Sequence, residues 1–381
     1  MRRWLRLAIF TLAASSGVHA AAAQADASWV IGPWTRASDA PVITPIKTST
    51  FNDPVSGKPV HWEALHTFNP AAIVRDGKIY VLYRSEDDSG EMQIGMHVSR
   101  LGLATSTDGV HFERMTTPVF YPDKDAQADR EQPGGVEDPR VVQSEDGTYV
   151  LTYTQWSRKR NAYSIGIATS KDLVRWTKHG PAFAGTSGGK YDSLLYKSAG
   201  IVTRRDGDRI VAAKINGKYW MYWGEIKVGL ATSTDLIHWT PVEDAAGKPL
   251  ALLQARPGKS DSGFPETGPP AIVTERGIVL VYNAKNKDGN AKNATDDTRD
   301  KTLAAGAYSV QEALFDANDP AKLLARTGHP VFKPERSFEQ SGQYAAGTTF
   351  AEGLVIFKGK WWMYYGCADS FVAAATAPAN E

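Results

Sequence analysis

GLATSTDGVHF (102–112), GIATSKDLVRW (166–176) and GLATSTDLIHW (229–239) are three versions of one unit, with starts 64 and 63 residues apart. Self-similarity at such a period signals a repeat architecture. In each copy a short apolar strand gives way to a polar turn carrying Asp108, Asp172 or Asp235, and an aromatic then restarts a strand. Aspartate suits such a turn because its side chain accepts hydrogen bonds from backbone amides just ahead of it.

A second pattern recurs around the first. A glycine turn opens a strand in DGKIYVLYR, DGTYVLTYT, NGKYWMYWG, RGIVLVYNA and KGKWWMYYG, placing Ile79, Tyr149, Tyr219, Ile278 and Trp361 in equivalent positions. Ahead of most of these runs lies another strand with a polar opening: Asn69-Pro70, Glu137-Asp138-Pro139, Lys197-Ser198 and Glu266-Thr267. Five copies of a multi-strand unit predict an all-β chain built as a five-bladed β-propeller, at roughly 65 residues per blade. A two-sheet sandwich and a linear solenoid are the competing architectures. One helix is expected, over 311–325, interrupted at Asn318-Asp319-Pro320. The charged run from Lys285 to Lys301 reads as a mobile loop with a solvated face.

Composition narrows the function. Across 381 residues, 43 Lys+Arg balance 42 Asp+Glu, so the field of the whole molecule attracts neither nucleic acid nor an anionic membrane. A single cysteine, Cys367, cannot close an intramolecular disulfide or build a Cys-based zinc site. Arg2, Arg3 and Arg6 precede the short apolar stretch Leu7–Val18, and small-residue cleavage patterns end at Ala20 and Ala25. Residues 1–25 therefore read as a signal peptide, too short for a membrane span. The expectation is a propeller over 26–381, in the periplasm or secreted. Dinucleotide, P-loop, HExxH and serine-nucleophile motifs are absent, and no metal or cofactor is called for.

The inner strands of a propeller converge on its axis, so residues at their ends share a central pocket. That brings together Asp138, Glu225 (ending YWMYWGE), Glu266 (before TGPP) and Asp369 (after YYGCA), with Asn69, Arg84, Gln155 and Lys197 at corresponding ends. Gathered carboxylates repel, and their assembly marks a metal site or acid–base chemistry on a polyol. Glycoside hydrolysis needs one carboxylic acid to protonate the leaving oxygen and one carboxylate to activate water or attack the sugar. Trp156, Trp220, Trp223, Trp361 and Trp362 are candidate platforms for sugar rings, against their ordinary role as filling between blades.

GGVEDPR (134–140), FNPAAI (68–73), SRLGLATSTDGVHF (99–112), KINGKY (214–219) and YYGCADS (364–370) resemble glycoside hydrolase family 130. That family comprises mannoside phosphorylases and mannosidases acting on β-mannosidic bonds, built as five-bladed propellers. The resemblance implies that Asp138 is the catalytic acid, acting directly or through a sugar hydroxyl, that Asp369 contacts the sugar in the −1 subsite, and that Lys197 opens the third inner strand.

The sequence departs from the phosphorylases where they resemble one another in holding phosphate. Their His-Arg pair after KINGKY is here Tyr222-Trp223-Gly224-Glu225, and their Tyr-His-Gly is Tyr282-Asn283-Ala284. A phosphate dianion beside Glu225 meets like-charge repulsion, whereas water needs only a base. Hydrolytic members of the family resemble this chain in having glutamates matching Glu225 and Glu266. The expected activity is an inverting, exo-acting β-mannosidase that releases mannose from β-1,2-linked mannosides, with Asp138, Glu225 and Glu266 catalytic, Asn69, Arg84, Gln155, Lys197 and Asp369 binding substrate, and a mannose-containing glycan as partner. The alternatives are a phosphorylase with a phosphate site rebuilt from residues such as Lys227 or Lys285, and a non-catalytic carbohydrate-binding propeller.

Overall fold

Each glycine turn quoted above does what its residues allow. Glycine takes positive φ at Gly77, Gly147, Gly217, Gly277 and Gly359, and an antiparallel strand follows each turn. The computed structural model describes residues 28–289 and 298–379. The segment expected to be a signal peptide, and 290–297 of the polar loop, lie outside the described residues. Ile31–Glu381 forms one compact unit; of the other, Met1–Val30, only 28–30 are described.

The chain is all-β, as the repeats predict. After β1 (Thr35–Arg36) and the small hairpin β2 (Phe51–Asn52) with β3 (Pro59–Val60), five antiparallel meanders follow. The first is β4 (His66–Arg75), β5 (Lys78–Glu86), β6 (Ser99–Ser106) and β7 (Glu113–Arg114). A short helix α1 (Ala128–Glu131) leads into β8 (Gly135–Gln143), β9 (Tyr149–Ser157), β10 (Ala162–Ser170) and β11 (Trp176–Pro181). In the third, β12 (Ala199–Asp206) pairs with both β13 (Arg209–Ala212) and β15 (Lys218–Trp223). β14 (Lys214–Ile215), β16 (Gly229–Ser233) and β17 (Trp239–Pro241) complete it. In the fourth, β18 (Phe264–Thr267) and β19 (Ala271–Thr274) share β20 (Gly277–Lys285), followed by β21 (Tyr308–Phe315) and β22 (Leu323–Arg326). The fifth, β23 (Thr349–Phe357), β24 (Lys360–Cys367) and β25 (Phe371–Pro378), takes β1 as its fourth strand.

The three repeat copies behave alike. Asp108, Asp172 and Asp235 each accept the backbone N–H groups two and three residues on through Oδ1, at 2.8–2.9 Å. The first strands of the meanders meet along their edges. β12 runs parallel to β19 from Val202↔Ala271, and a Cβ added to Gly353 of β23 would lie 2.9 Å from Ala72 Cβ and Pro70 O of β4. Apolar clusters fill the spaces between meanders, one of them joining Phe183, Tyr196, Trp223 and Trp239.

The helix expected over 311–325 is not formed. Gln, Glu, Ala and Leu favour a helix in isolation, but Val310–Phe315 is buried throughout and pairs with β20, so the sheet overrides local preference. Asp316 and Asp319 then cap a turn by accepting the N–H groups of Asn318 and Ala321. On β21 sits Glu312, fully buried, whose Oε2 accepts the Ile31 N–H at 2.9 Å. Burial raises this carboxyl to about 8, against the pull of that N–H. The unfolded group ionises near its ordinary value of 4.5, so the stability it contributes is present below that pH and is lost as pH rises through about 8. Glu312→Gln is expected to match the wild type near pH 5 and exceed it at pH 9, by on the order of 2 kcal/mol. Denaturant melts across that range check this; parallel wild-type and variant curves contradict it.

Candidate active site

Three of the meanders begin with an irregularity in the same place. Register shifts leave Asn69 between Phe68 and Pro70, Asp138-Pro139 between Glu137 and Arg140, and Glu352 between Ala351 and Gly353 as extra residues. A bulge re-aims its side chain, and the prolines fit because no ladder N–H is needed there. Asn69 (φ 45°), Asp138 (φ 48°) and, at the head of the third meander, Ser198 (φ 59°) adopt left-handed backbone. Asn and Asp tolerate that conformation best among non-glycine residues.

These bulges and the neighbouring strand ends surround a cavity of about 500 Å³. Asn69, Arg84, Asp138, Lys197, Glu225, Glu266 and Asp369 all line it, as the repeat alignment predicts. Gln155 does not. Its neighbours Thr154 and Trp156 face the cavity, so strand alternation turns Gln155 to the other side of β9, where its Nε2 donates to Glu131 and its Oε1 accepts from Ser164. Of the five tryptophans, Trp156 alone lines the cavity. Trp223 and Trp361 are buried, and the indole N–H groups of Trp220 and Trp362 donate to Ile215 and Phe357 carbonyls.

Two groups of charge line the cavity. In the first, Arg84 donates to Glu86 at 2.7 Å, Glu137 at 2.9 Å and Asp138 at 3.1 Å, while Asn69 Nδ2 donates to Asp138 Oδ1 at 2.8 Å. In the second, Lys197 lies 3.4 Å from both Glu225 and Glu266. A backbone bridge joins those two glutamates, which explains their pairing. Ser198 donates to Glu266 at 2.6 Å and Tyr163 to Glu225 at 3.1 Å. The carboxylates' mutual repulsion is thus offset by two side-chain cations already engaged with them. Lys227 and Lys285, the residues considered for a rebuilt phosphate site, do not line the cavity; Lys285 pairs with Asp288 at 2.9 Å.

Beneath the cavity, Arg140 donates to the carbonyls of Asp138, Thr267 and Gly268, and its Nη2 lies 3.0 Å from Glu352. Both side chains are buried, closing the floor and tying three meanders together. Asn283, standing where the phosphorylases carry histidine, is used the same way: it donates to the Ala351 carbonyl and accepts the Ala351 N–H.

The protons are unevenly placed. Burial, the largest influence on Asp138, works to raise it, but Arg84, Lys197, Arg140 and the Asn69 hydrogen bond together hold it down at about 2. Burial prevails at Glu137, lifting it to about 7 with help from Asp138 and Glu86 against Arg84. Asp369 rises to about 7 for the same reasons. Glu266 is also raised, by burial and by Glu225, against the pull of Lys197. Near neutrality the acid cluster therefore keeps a proton on Glu137 or Asp369 and leaves Asp138 anionic. In the sequence Glu137 and Ser198 stand out only as strand openings, and Tyr163 not at all. Glu137 stands beside Asp138 in EDPR, and that adjacency was its available signal.

The arrangement, one proton-holding cluster in the same cavity as a glutamate pair with a serine and tyrosine fixing them, is equipped for acid–base chemistry on a polyol. Known proteins agree on the family. The family model for glycoside hydrolase family 130, described as β-1,4-mannooligosaccharide phosphorylase, matches residues 35–381. A 1,2-β-oligomannan phosphorylase from Thermoanaerobacter sp. (strain X514) is 30% identical over 342 residues, 89% of this chain and 95% of that protein. A glycosyl hydrolase from Bacteroides ovatus superposes with a TM-score of 0.87 at 49% identity, covering 93% of this chain and 96% of that one. Another structure, from work describing glycoside hydrolases within the family that target β-1,2 mannosidic linkages in Candida mannan, gives 0.88 at 49% identity and the same coverage. On the evidence of the matched model and the full-length relative, the chain belongs to glycoside hydrolase family 130.

Proposed function

We propose that this protein is an exported, inverting, exo-acting β-mannosidase, releasing mannose from the end of β-1,2-linked mannosides. The five meanders are the blades of a propeller, and the cavity is its axial pocket. The observation that carries the hydrolytic reading is the charge inventory of that cavity. Arg84 and Lys197 are its positive side chains, both held by carboxylates, while Glu137, Asp138, Glu225, Glu266 and Asp369 are acidic. Inorganic phosphate entering there faces repulsion, and among the described residues the cavity has no free cation to hold it. A neutral sugar and a water molecule face none. The basic n-region and apolar stretch of residues 1–25 support export.

In this reading Glu225 and Glu266 hold the attacking water. Glu266, with its raised proton affinity, is suited to accept the proton, and Glu225 orients the water through its link to Tyr163. Asp138 delivers a proton to the leaving oxygen, directly or through a mannose hydroxyl. A bound sugar displaces water from around Asp138 and so favours its neutral form, allowing the proton kept on Glu137 or Asp369 to pass to it.

The second reading is a β-mannoside phosphorylase, favoured by the description of the matched model and the names of the curated relatives. Incubation with β-1,2- and β-1,4-mannobiose, with and without phosphate, separates the two when products are followed by NMR. Free mannose appearing first as the α-anomer, at a rate indifferent to phosphate, is expected. Mannose 1-phosphate formed only with phosphate overturns the hydrolytic reading.

A further inference from the structure

The catalytic cavity is continuous with a second depression of about 340 Å³: Asn161, Tyr163 and Leu195 line both. Beyond those residues its walls carry Arg130, Arg160 and Asp192. The two guanidiniums form no ion pair among the described residues, and Asp192 uses Oδ1 to accept the Gly185 N–H. Leu195 and Ile94, both in the lining of the catalytic cavity, are 49% and 53% exposed. Arg140 and Glu352, buried and paired, lie outside the cavity lining and give a substrate chain no room between them. The residues shared by the two depressions, Asn161, Tyr163 and Leu195, offer it a way out.

We infer that the second depression is a distal subsite that holds the third sugar ring of an oligosaccharide, whose hydroxyls are hydrogen-bonded by Arg130, Arg160 and Asp192. The inference rests on the mannosidase reading for the identity of the sugar. Two guanidiniums without an ion pair among the described residues and a carboxylate with one oxygen engaged, set beside an apolar surface, suit a neutral polyol. The carboxylate of Asp192 works against a phosphorylated or acidic one. The volume accommodates a small ligand, and the shared lining gives a continuous path from one cavity to the other.

The test reads binding, so it does not depend on turnover. In an Asp138→Asn background, calorimetry with β-1,2-mannobiose and β-1,2-mannotriose is expected to show the trisaccharide binding about tenfold tighter. Adding Arg160→Ala or Asp192→Ala, both at exposed positions, is expected to bring the ratio to within about twofold. Equal affinities in the parent, a preference that survives both substitutions, or binding of neither sugar overturns the subsite. Separately, wild-type protein that releases no mannose from either sugar overturns the hydrolytic reading while the affinity ratio still decides the subsite.

Discussion

Glu225→Gln is expected to slow release of mannose from a β-mannoside by roughly 10³-fold, within the range a positioned base contributes. Glutamine keeps the size of the side chain and an oxygen to accept from Tyr163 at the 3.1 Å contact. It lacks the negative charge that attracts a water proton, and its amide faces Lys197, which lay 3.4 Å from the carboxylate. Lys197 retains Glu266, also at 3.4 Å, so the cation stays in place. The loss should fall on kcat more than on KM, because Glu225 is assigned to water and not to mannose. The same substitution discriminates against phosphorolysis. Removing a negative charge from the site eases entry of phosphate, so a phosphorylase would keep or gain phosphate-dependent rate in the variant. Steady-state kinetics in phosphate and in a phosphate-free buffer distinguish the outcomes. Undiminished hydrolysis removes Glu225 from the reaction.

The acids were legible because repetition made them so. Asp138, Glu225, Glu266 and Asp369 occupy strand ends that a repeat alignment can superpose without coordinates, and all four line one cavity. The Asp108, Asp172 and Asp235 turns were legible for a local reason: a short carboxylate two residues before an amide needs nothing distant to bond it. Gln155 shows the limit of alignment. One residue along a strand reverses the face, and a motif match to a strand end does not fix that parity. The pairing of Arg140 with Glu352 joins residues 212 positions apart through two bulges, and no local pattern announces which residue a bulge will turn inward. The stretch from Gln311 to Ala325 failed differently. Its composition favours a helix, and what converts it to strands is burial against β20, a property of its neighbours and not of its own residues. Proton placement was the least legible of all. EDPR holds two adjacent acids, and only their folded surroundings separate them: Arg84, Lys197, Arg140 and Asn69 hold Asp138 at about 2, while burial lifts Glu137 to about 7.

Asp138→Asn should be the most damaging conservative substitution in the protein, lowering hydrolysis of mannobiose by about 10⁴-fold. Asparagine tolerates the left-handed backbone at this bulge (φ 48°) as aspartate does. Its amide oxygen can still accept from Asn69 and Arg84, at the positions now 2.8 and 3.1 Å away. The fold and the sugar site are thereby preserved, and mannoside affinity is expected to persist. What is lost is the group that carries a proton to the leaving oxygen. The loss should accordingly depend on the leaving group: an activated aryl mannoside, which departs without protonation, should lose at least about tenfold less activity than mannobiose. A purely structural defect would slow both equally. A second readout follows from charge. Asp138 helps to raise Glu137 and Asp369, each to about 7. Their raised proton affinity contributes stability at low pH that is lost as pH climbs through that value. With the neighbouring anion gone, both groups ionise at lower pH, so the variant's stability should fall less steeply than the wild type's between about pH 5 and 7. Denaturant melts over that interval measure the slope. Equal losses on the two substrates, or an unchanged slope, would take Asp138 out of the role of acid and return the question to Glu137 and Asp369.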